Sequence, residues 1–265
     1  MIQSIIKRDG RVVAYDTEKI EAAILKAWEG IGTEERYTEN ELKNYHDYVR
    51  VMAEFDWPAY INGDPAFHQI VLDRYDAEGE ESVVSAIYEY YDALYLKNLE
   101  DQLSESLVVK KERLPLFHEA FLLYQLGYYY GVVAILINQI VGITADIEKF
   151  LKKNNAGYDP KTLKLMGKRY GVTLTSDKGR VMTAAVEGKS INDDVGEYGY
   201  LLGYLRFKVF KSHLSRNETQ KHTNRNLLCH GAQLNYGTKE HALKTILCID
   251  ALAWIAEVIA NNLEG

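Results

Sequence analysis

Apolar residues recur every three or four positions along most of this chain, which predicts helices. The predicted helices cover residues 17–30, 37–55, 66–75, 80–103, 112–153 as a pair broken near Gly127, 198–210, and 239–262 with Thr238 as the cap. Residues 154–197 lack this spacing and are predicted to form an irregular insertion. Proline is scarce, at four residues, which also favours helices over a turn-rich β fold.

Residues 2–16 are the exception, because short apolar stretches there flank a turn signal. Ile5 and Ile6 precede the pair Asp9-Gly10, and Val12 and Val13 follow it. Asp-Gly is a favoured pair in tight hairpin turns, so we expect a β-hairpin. The predicted fold is therefore mainly α, with a small N-terminal α+β region made of a hairpin plus helices. We expect two regions, residues 1–105 and 106–265, with the insertion at about 154–197 in the second.

The net charge of −7 excludes a general nucleic-acid coat, so any RNA binding needs a local basic surface. The basic residues that crowd one stretch are Lys208, Lys211, Arg216, Lys221 and Arg225. A solvated helix face explains this charge pattern equally well.

The two cysteines, Cys229 and Cys248, lie in apolar helical surroundings, and both are expected to be buried thiols. Neither a metal-binding cluster nor a disulfide framework is expected from this composition. The chain has no signal-peptide pattern, and the apolar run at Val132–Ile137 is too short to span a bilayer. We therefore expect a cytoplasmic protein that does not contact a membrane.

The candidate chemistry lies in the segment from Asn224 to Gly231. Arg225 can hold a phosphate with a planar pair of donors, and His230 can exchange a proton near neutral pH. Asn226 lies four residues before His230, so on a helix it can orient the imidazole or contact substrate. Gly231 can end the helix in a left-handed cap.

Arg225 and His230 are five residues apart, which places them about 140° apart around a straight helix. Either the helix begins or distorts here, or a second copy of the chain completes the site. The spacing alone is weak evidence, because Arg113 and His118 share it. A surface arginine beside a hydrogen-bonded histidine near a helix end is the simpler interpretation.

The order of Arg225, Asn226 and His230, followed by Leu234–Thr238, resembles the closing segment of the HEPN superfamily of small helical proteins. Residues 113–146 resemble the opening helical pair of the same family. The matching residues there are Glu119-Ala120, Tyr124, Gly127-Tyr128-Tyr129, Gln139-Ile140 and Gly142. The resemblance covers roughly residues 107–265 and implies a HEPN-like helical bundle.

Many HEPN proteins are metal-independent ribonucleases in toxin, CRISPR and antiphage systems. The resemblance implies that a 2′-hydroxyl of RNA attacks the adjacent phosphodiester and leaves a cyclic phosphate. His230 would transfer the proton, Arg225 would hold the phosphate charge, and Asn226 would assist them. It also implies a homodimer that needs no catalytic cofactor or metal. Other members of the superfamily have lost catalysis and act as binding modules.

The segment Ile5–Arg11, with Tyr15-Asp16 and Glu18-Lys19-Ile20, resembles the start of an ATP cone. That domain senses nucleotides at the front of many ribonucleotide reductases and of their repressor. The resemblance covers about residues 2–32 and implies ATP or dATP as a regulatory ligand, with Lys7, Arg8 and Lys19 as candidate phosphate ligands. A truncated cone that only packs against its neighbour is the alternative.

Together these features predict a HEPN-type endoribonuclease in toxin, antiphage or stress defence, regulated by a nucleotide at its N-terminal region. The alternative is a non-catalytic nucleotide-sensing or dimerising component of a larger defence complex. Such a component would need a partner protein from a defence or toxin–antitoxin system.

Overall fold

The computed structural model describes residues 4–6, 12–14, 39–59, 64–153, 204–211 and 214–264. Two short strands, β1 (Ser4–Ile6) and β2 (Val12–Ala14), precede the helices. The helices are α1 (Glu39–Glu54), α2 (Pro65–Glu78), α3 (Glu80–Tyr90), α4 (Ala93–Glu105), α5 (Leu114–Gln125), α6 (Tyr129–Lys153), α7 (Arg216–Lys221), α8 (Arg225–Cys229) and α9 (Lys239–Glu264). A short 3-10 turn at Lys111–Arg113 leads into α5, and a π-helical turn covers Leu205–Val209. The described residues are thus mainly helical, as predicted.

The two strands pair antiparallel, but in a different register from the one that a two-residue turn would give. Ile5 pairs with Val13, and Ile6 pairs with Val12. A two-residue turn at Asp9-Gly10 would instead pair Ile6 with Val13. The predicted turn at Asp9-Gly10 lies among residues 7–11, outside the described part of the chain, while the antiparallel pairing on either side of it agrees with the predicted hairpin.

Helices α2 and α4 begin at side-chain caps. Asp64 precedes α2 and accepts a hydrogen bond from the backbone of Ala66 at 2.9 Å, with Pro65 at the first helical position. Asp92 accepts one from the backbone of Tyr95 at 2.9 Å and starts α4. The cap at Asp92 divides the predicted helix 80–103 into α3 and α4, so the prediction of one continuous helix is wrong.

The central pair of helices is α6 and α9, which pack along each other, with α5 covering α6. The predicted break near Gly127 is confirmed, since Gly127 has a φ of 80° between α5 and α6. The buried side of α6 consists of Val132, Val133, Leu136, Ile137, Ile140, Ile143 and Ile147. These side chains meet an equally apolar face of α9, and together they form the support for the C-terminal polar segments.

Within the described residues, the segment Tyr129–Ile147 of α6 is long and apolar enough to cross a membrane. It is longer than the run Val132–Ile137 on which the opposite expectation rested. Half of the segment is buried inside the structure, and buried core helices meet the same length criterion.

Arg113 makes a buried ion pair that fastens the start of α5 to α6. Its Nε and Nη2 lie 2.6 and 3.1 Å from the two carboxylate oxygens of Asp146, and its Nη1 donates to Gln139 at 2.8 Å. The Asp146 side chain is only 1% exposed. A side chain at Gly142 would overlap the guanidinium, because a Cβ there would lie 2.1 Å from Nη1. Arg113 is therefore a structural residue. It nevertheless precedes His118 by five residues, the same spacing as that from Arg225 to His230.

Replacing Arg113 with methionine should destabilise the fold strongly, because it leaves the Asp146 carboxylate buried without a counter-charge. We expect the free energy of unfolding to fall by about 3–5 kcal/mol. Arg74→Met is the matched control, since Arg74 pairs at 3.4 Å with Glu89 where both side chains are largely exposed, and should cost less than about 1 kcal/mol. Urea unfolding measures both values, and equal losses would contradict the structural role of Arg113.

Candidate functional site

The candidate segment folds as a five-residue helix, α8, with a defined end on each side. Asn224 precedes it and accepts a hydrogen bond from the backbone of Leu227 at 3.0 Å. At the other end Gly231 has a φ of 68°, and the backbones of Gly231 and Ala232 donate to Leu228 at 2.9 Å and Leu227 at 2.8 Å. These bonds form the left-handed C-terminal motif that glycine favours. The prediction of a left-handed cap at Gly231 is confirmed.

Arg225 is the first residue of α8, and His230 follows its last residue. The sequence left open whether the helix begins at this point, distorts here, or is completed by a second copy of the chain. In the structure the helix begins at Arg225. Five residues rise about 7–8 Å along a helix axis. Arg225 and His230 of one chain therefore lie at opposite ends of α8 and not side by side.

Arg225 is partly buried and has spare hydrogen-bonding capacity. Its Nη1 donates to the Asn226 side-chain oxygen at 3.2 Å. Its Nε is buried and has no partner among the described residues, and the hydroxyl of Thr223 is in the same condition. A buried donor without a partner costs free energy, and an anion is the ligand that best satisfies a guanidinium donor.

Asn226 holds the arginine and not the histidine. Its side-chain nitrogen points to the carbonyl oxygens of Phe210 at 3.3 Å and Lys211 at 3.4 Å, while its oxygen accepts from Arg225. The predicted alternative that Asn226 orients the imidazole of His230 is therefore wrong for this structure. The two residues are linked only through the backbone, where the N–H of His230 donates to the carbonyl of Asn226 at 3.1 Å.

The far end of α8 faces solvent. His230 and Cys229 are both exposed. The expectation of a buried Cys229 thiol is wrong, because α8 is too short to cover it; Cys248 is buried as expected. The Cys229 sulfur lies 3.6 Å from the side-chain oxygen of Asn138 on α6, so the core helix contacts this end of the site.

A fully buried asparagine and glutamine fix the start of α8. The side chain of Asn224, which is 0% exposed, donates to the carbonyl oxygens of Lys208 and Lys211, each at 2.9 Å. Its backbone N–H donates to the side chain of Gln233 at 2.9 Å, and Gln233 donates in turn to the carbonyl of His222 at 2.7 Å. Neither amide was among the predicted site residues. An asparagine directly before a helix was a usable capping signal, but nothing in the sequence identified Gln233.

A group of charged and polar side chains contacts the segments that hold Asn224. None of its members was predicted to have this role from the sequence. Asp56, in the turn after α1, places its carboxylate 3.2 Å from the Lys208 ammonium and 3.5 Å from Nε2 of the buried His222. The other ring nitrogen of His222 lies 3.3 Å from the hydroxyl of Tyr204. Burial, with the charges of Lys244 and Lys208, lowers the pKa of His222 to about 3. His222 is therefore neutral near physiological pH.

The predicted basic surface is only partly available to a ligand. Lys208 pairs with Asp56, and Lys211 lies 3.3 Å from the carboxylate of Glu218. Two further members are Lys221, which is exposed at the end of α7, and Arg225, which is partly buried at the start of α8. The phosphate-binding residues predicted at the N-terminus, Lys7, Arg8 and Lys19, lie outside the described residues.

A family model for the ATP cone domain matches residues 3–53. The match includes the hairpin strands and nearly all of α1, so it extends well past the limit near Gly32 that the sequence resemblance gave. Comparison with curated proteins and with solved structures finds no similar chain. The N-terminal segment is thus similar to a nucleotide-binding regulatory domain, and the HEPN resemblance of residues 107–265 stays a prediction.

Two buried histidines should make this fold sensitive to mild acid. Burial lowers the pKa of His68 to about 4, and that of His222 is about 3. In the unfolded chain both bind protons near pH 6.5, so protonation favours unfolding below that pH. We expect the free energy of unfolding to decrease as the pH falls from 6.5 to 5, before most carboxylates titrate, as urea unfolding will measure.

His68→Phe is the variant that assigns this effect. The His68 ring stacks on Tyr48 at 4.2 Å, and its Nε2 has no hydrogen-bond partner in the described part of the chain, so phenylalanine preserves the contact. The variant should lose stability less steeply than the wild type between pH 6.5 and 5. An unchanged slope would show that folding does not change the pKa of His68.

Proposed function

We propose that this chain is a metal-independent endoribonuclease of HEPN type whose activity is controlled by ATP or dATP at its N-terminal region. The observation that carries the proposal is the buried Nε of Arg225, which has no partner among the residues that the structure describes, while Asn226 holds the Nη1 of the same guanidinium in place. This guanidinium is positioned and has a donor left for a phosphate oxygen. We infer a role in toxin, antiphage or stress defence from the HEPN resemblance.

In the proposed reaction the 2′-oxygen of RNA forms a bond to the adjacent phosphorus. The bond between phosphorus and the 5′-oxygen breaks, which leaves a cyclic phosphate and a free 5′-hydroxyl. His230 takes or supplies the proton, and Arg225 stabilises the negative charge on the phosphate oxygens. No metal is needed for these steps, because arginine supplies the positive charge.

We infer that the active unit is a homodimer, since α8 separates Arg225 and His230 of one chain. A two-fold symmetric pair presents the same surface from both copies, so the arginine of one chain can face the histidine of the other. Two copies also provide two imidazoles, one to accept the proton of the attacking hydroxyl and one to protonate the leaving oxygen.

The similarity of residues 3–53 to the ATP cone supports nucleotide control. Lys7, Arg8 and Lys19 are the proposed contacts to the triphosphate. That similarity equally favours a second candidate, a nucleotide-sensing or dimerising component without catalysis that acts with a partner protein of a defence or toxin–antitoxin system.

Cleavage of a mixed RNA pool in the presence of EDTA tests the proposal. The wild type should produce fragments with cyclic phosphate ends in at least one of three conditions: alone, with ATP or with dATP. His230→Ala and Arg225→Ala should each lower the rate by about 100-fold or more, since each removes a group that acts in the transition state.

His118→Ala is the matched control for this assay. His118 is exposed and lies five residues after Arg113, the same spacing as in the candidate motif, and it pairs with Glu100 at 2.8 Å. Its removal should leave the cleavage rate unchanged. A folded wild type that leaves RNA intact, both alone and with each nucleotide, would rule out the ribonuclease and favour the non-catalytic candidate.

A further inference from the structure

The turn that follows α1 has a residue that its backbone geometry does not favour. Helix α1 ends one residue beyond the cone-matched segment, residues 3–53. The backbone of Asp56 donates to Ala53 at 3.1 Å and that of Trp57 to Met52 at 2.8 Å, and Asp56 has a φ of 60°. This is the left-handed helix end that glycine usually occupies, as Gly231 does after α8. An aspartate here therefore needs a reason beyond the turn itself.

The carboxylate of Asp56 supplies that reason, because it bridges two segments next to the candidate site. One oxygen lies 3.2 Å from the ammonium of Lys208, and the other lies 3.5 Å from Nε2 of His222. Burial opposes its charge, yet the pKa of Asp56 stays below its ordinary value, and near physiological pH, where His222 is neutral, the ammonium of Lys208 supplies the facing positive charge. Asp56 is thus a negative charge fixed between two partners from the C-terminal part of the chain.

Both partners are bonded directly to the residues that fix α8. The carbonyl of Lys208 accepts a hydrogen bond from the Asn224 side chain at 2.9 Å. The carbonyl of His222 accepts one from Gln233 at 2.7 Å, and Gln233 accepts one from the Asn224 backbone at 2.9 Å. Two routes therefore lead from Asp56 to the cap of α8, one residue before Arg225.

The residue after Asp56 makes a parallel connection. The buried ring of Trp57 lies 4.8 Å from the ammonium of Lys244 on α9. That ammonium donates to the carbonyl of Lys221, the residue before His222, at 3.1 Å, and to Glu240 at 2.5 Å. Both residues of the turn are thus bound to the segment that leads into α8.

We propose that the Asp56 turn transmits nucleotide binding in the cone-matched segment to α8. This inference rests on one part of the proposed function, namely that the cone-matched segment binds a nucleotide. A displacement of α1 moves the Asp56 carboxylate, and the carbonyl groups that hold Asn224 and Gln233 move with its partners. The effect is reciprocal, so an anion bound at Arg225 changes the nucleotide affinity by the same factor.

Amide hydrogen exchange of the full-length chain tests this coupling without using RNA cleavage. ATP and dATP are added separately, and exchange is followed in peptides that cover residues 222–233. In the wild type we expect nucleotide to change their exchange rate by about fivefold or more. In Asp56→Asn the change should be less than about twofold, while the nucleotide Kd stays within about threefold of the wild type.

Asp47→Asn is the control, because Asp47 also lies on α1 but pairs at 3.6 Å with the exposed Arg50 and touches no part of this network. It should respond like the wild type. Lys208→Met removes the same bridge from the other side and should match Asp56→Asn. If the melting curve of Asp56→Asn shows that this variant is unfolded, the Lys208→Met variant decides the test.

A full nucleotide response in folded Asp56→Asn and Lys208→Met would overturn the coupling. So would a wild type that binds nucleotide without any change in residues 222–233. A wild type that binds neither ATP nor dATP would overturn both the coupling and the nucleotide-control part of the proposed function. The ribonuclease part is judged separately, by RNA cleavage in EDTA alone and with each nucleotide, so the two failures are distinguishable.

Discussion

The geometry of the candidate site depends on the buried side chain of Asn224. Its oxygen caps α8, its nitrogen holds the carbonyl groups of Lys208 and Lys211, and its backbone is bonded to Gln233. A buried amide has no water to replace a lost partner, so these bonds form as a set. The set determines where α8 begins, and with it the position of Arg225. The apolar packing of α6 against α9 supports this polar arrangement.

The buried polar groups fall into two sets, one paired within the core and one beside α8 that includes unpaired groups. Arg113 and Asp146 satisfy each other and join α5 to α6, far along the core helix from α8. Around α8 the buried side chains of Asn224 and Gln233 are satisfied, but Arg225 Nε and the Thr223 hydroxyl have no partner within the described ranges. The same residue types at the same spacing thus differ in role, and only their partners separate them.

Sequence reasoning predicted the local features that depend on a few neighbouring residues. The break at Gly127, the cap at Thr238 and the left-handed end at Gly231 follow from the conformational preferences of those residues. It failed where distant segments decide the outcome. The side chain of Asn226 pairs with Arg225 and Phe210 and not with His230, because the π-helical turn brings the Phe210 carbonyl close. Asp56 and Gln233 acquire their roles from partners nine or more residues away, so no local pattern identified them. The predicted phosphate ligands Lys7, Arg8 and Lys19 lie outside the described residues.

The exposed thiol of Cys229 provides a chemical handle in the candidate segment. The chain has two cysteines, and burial raises the pKa of the other, Cys248, so that it stays a protonated and shielded thiol. A thiol-reactive fluorophore or spin label should therefore attach to Cys229 alone, one residue from His230. In an assembly of two copies, the distance between two such labels would report directly how far apart the ends of the two α8 helices lie.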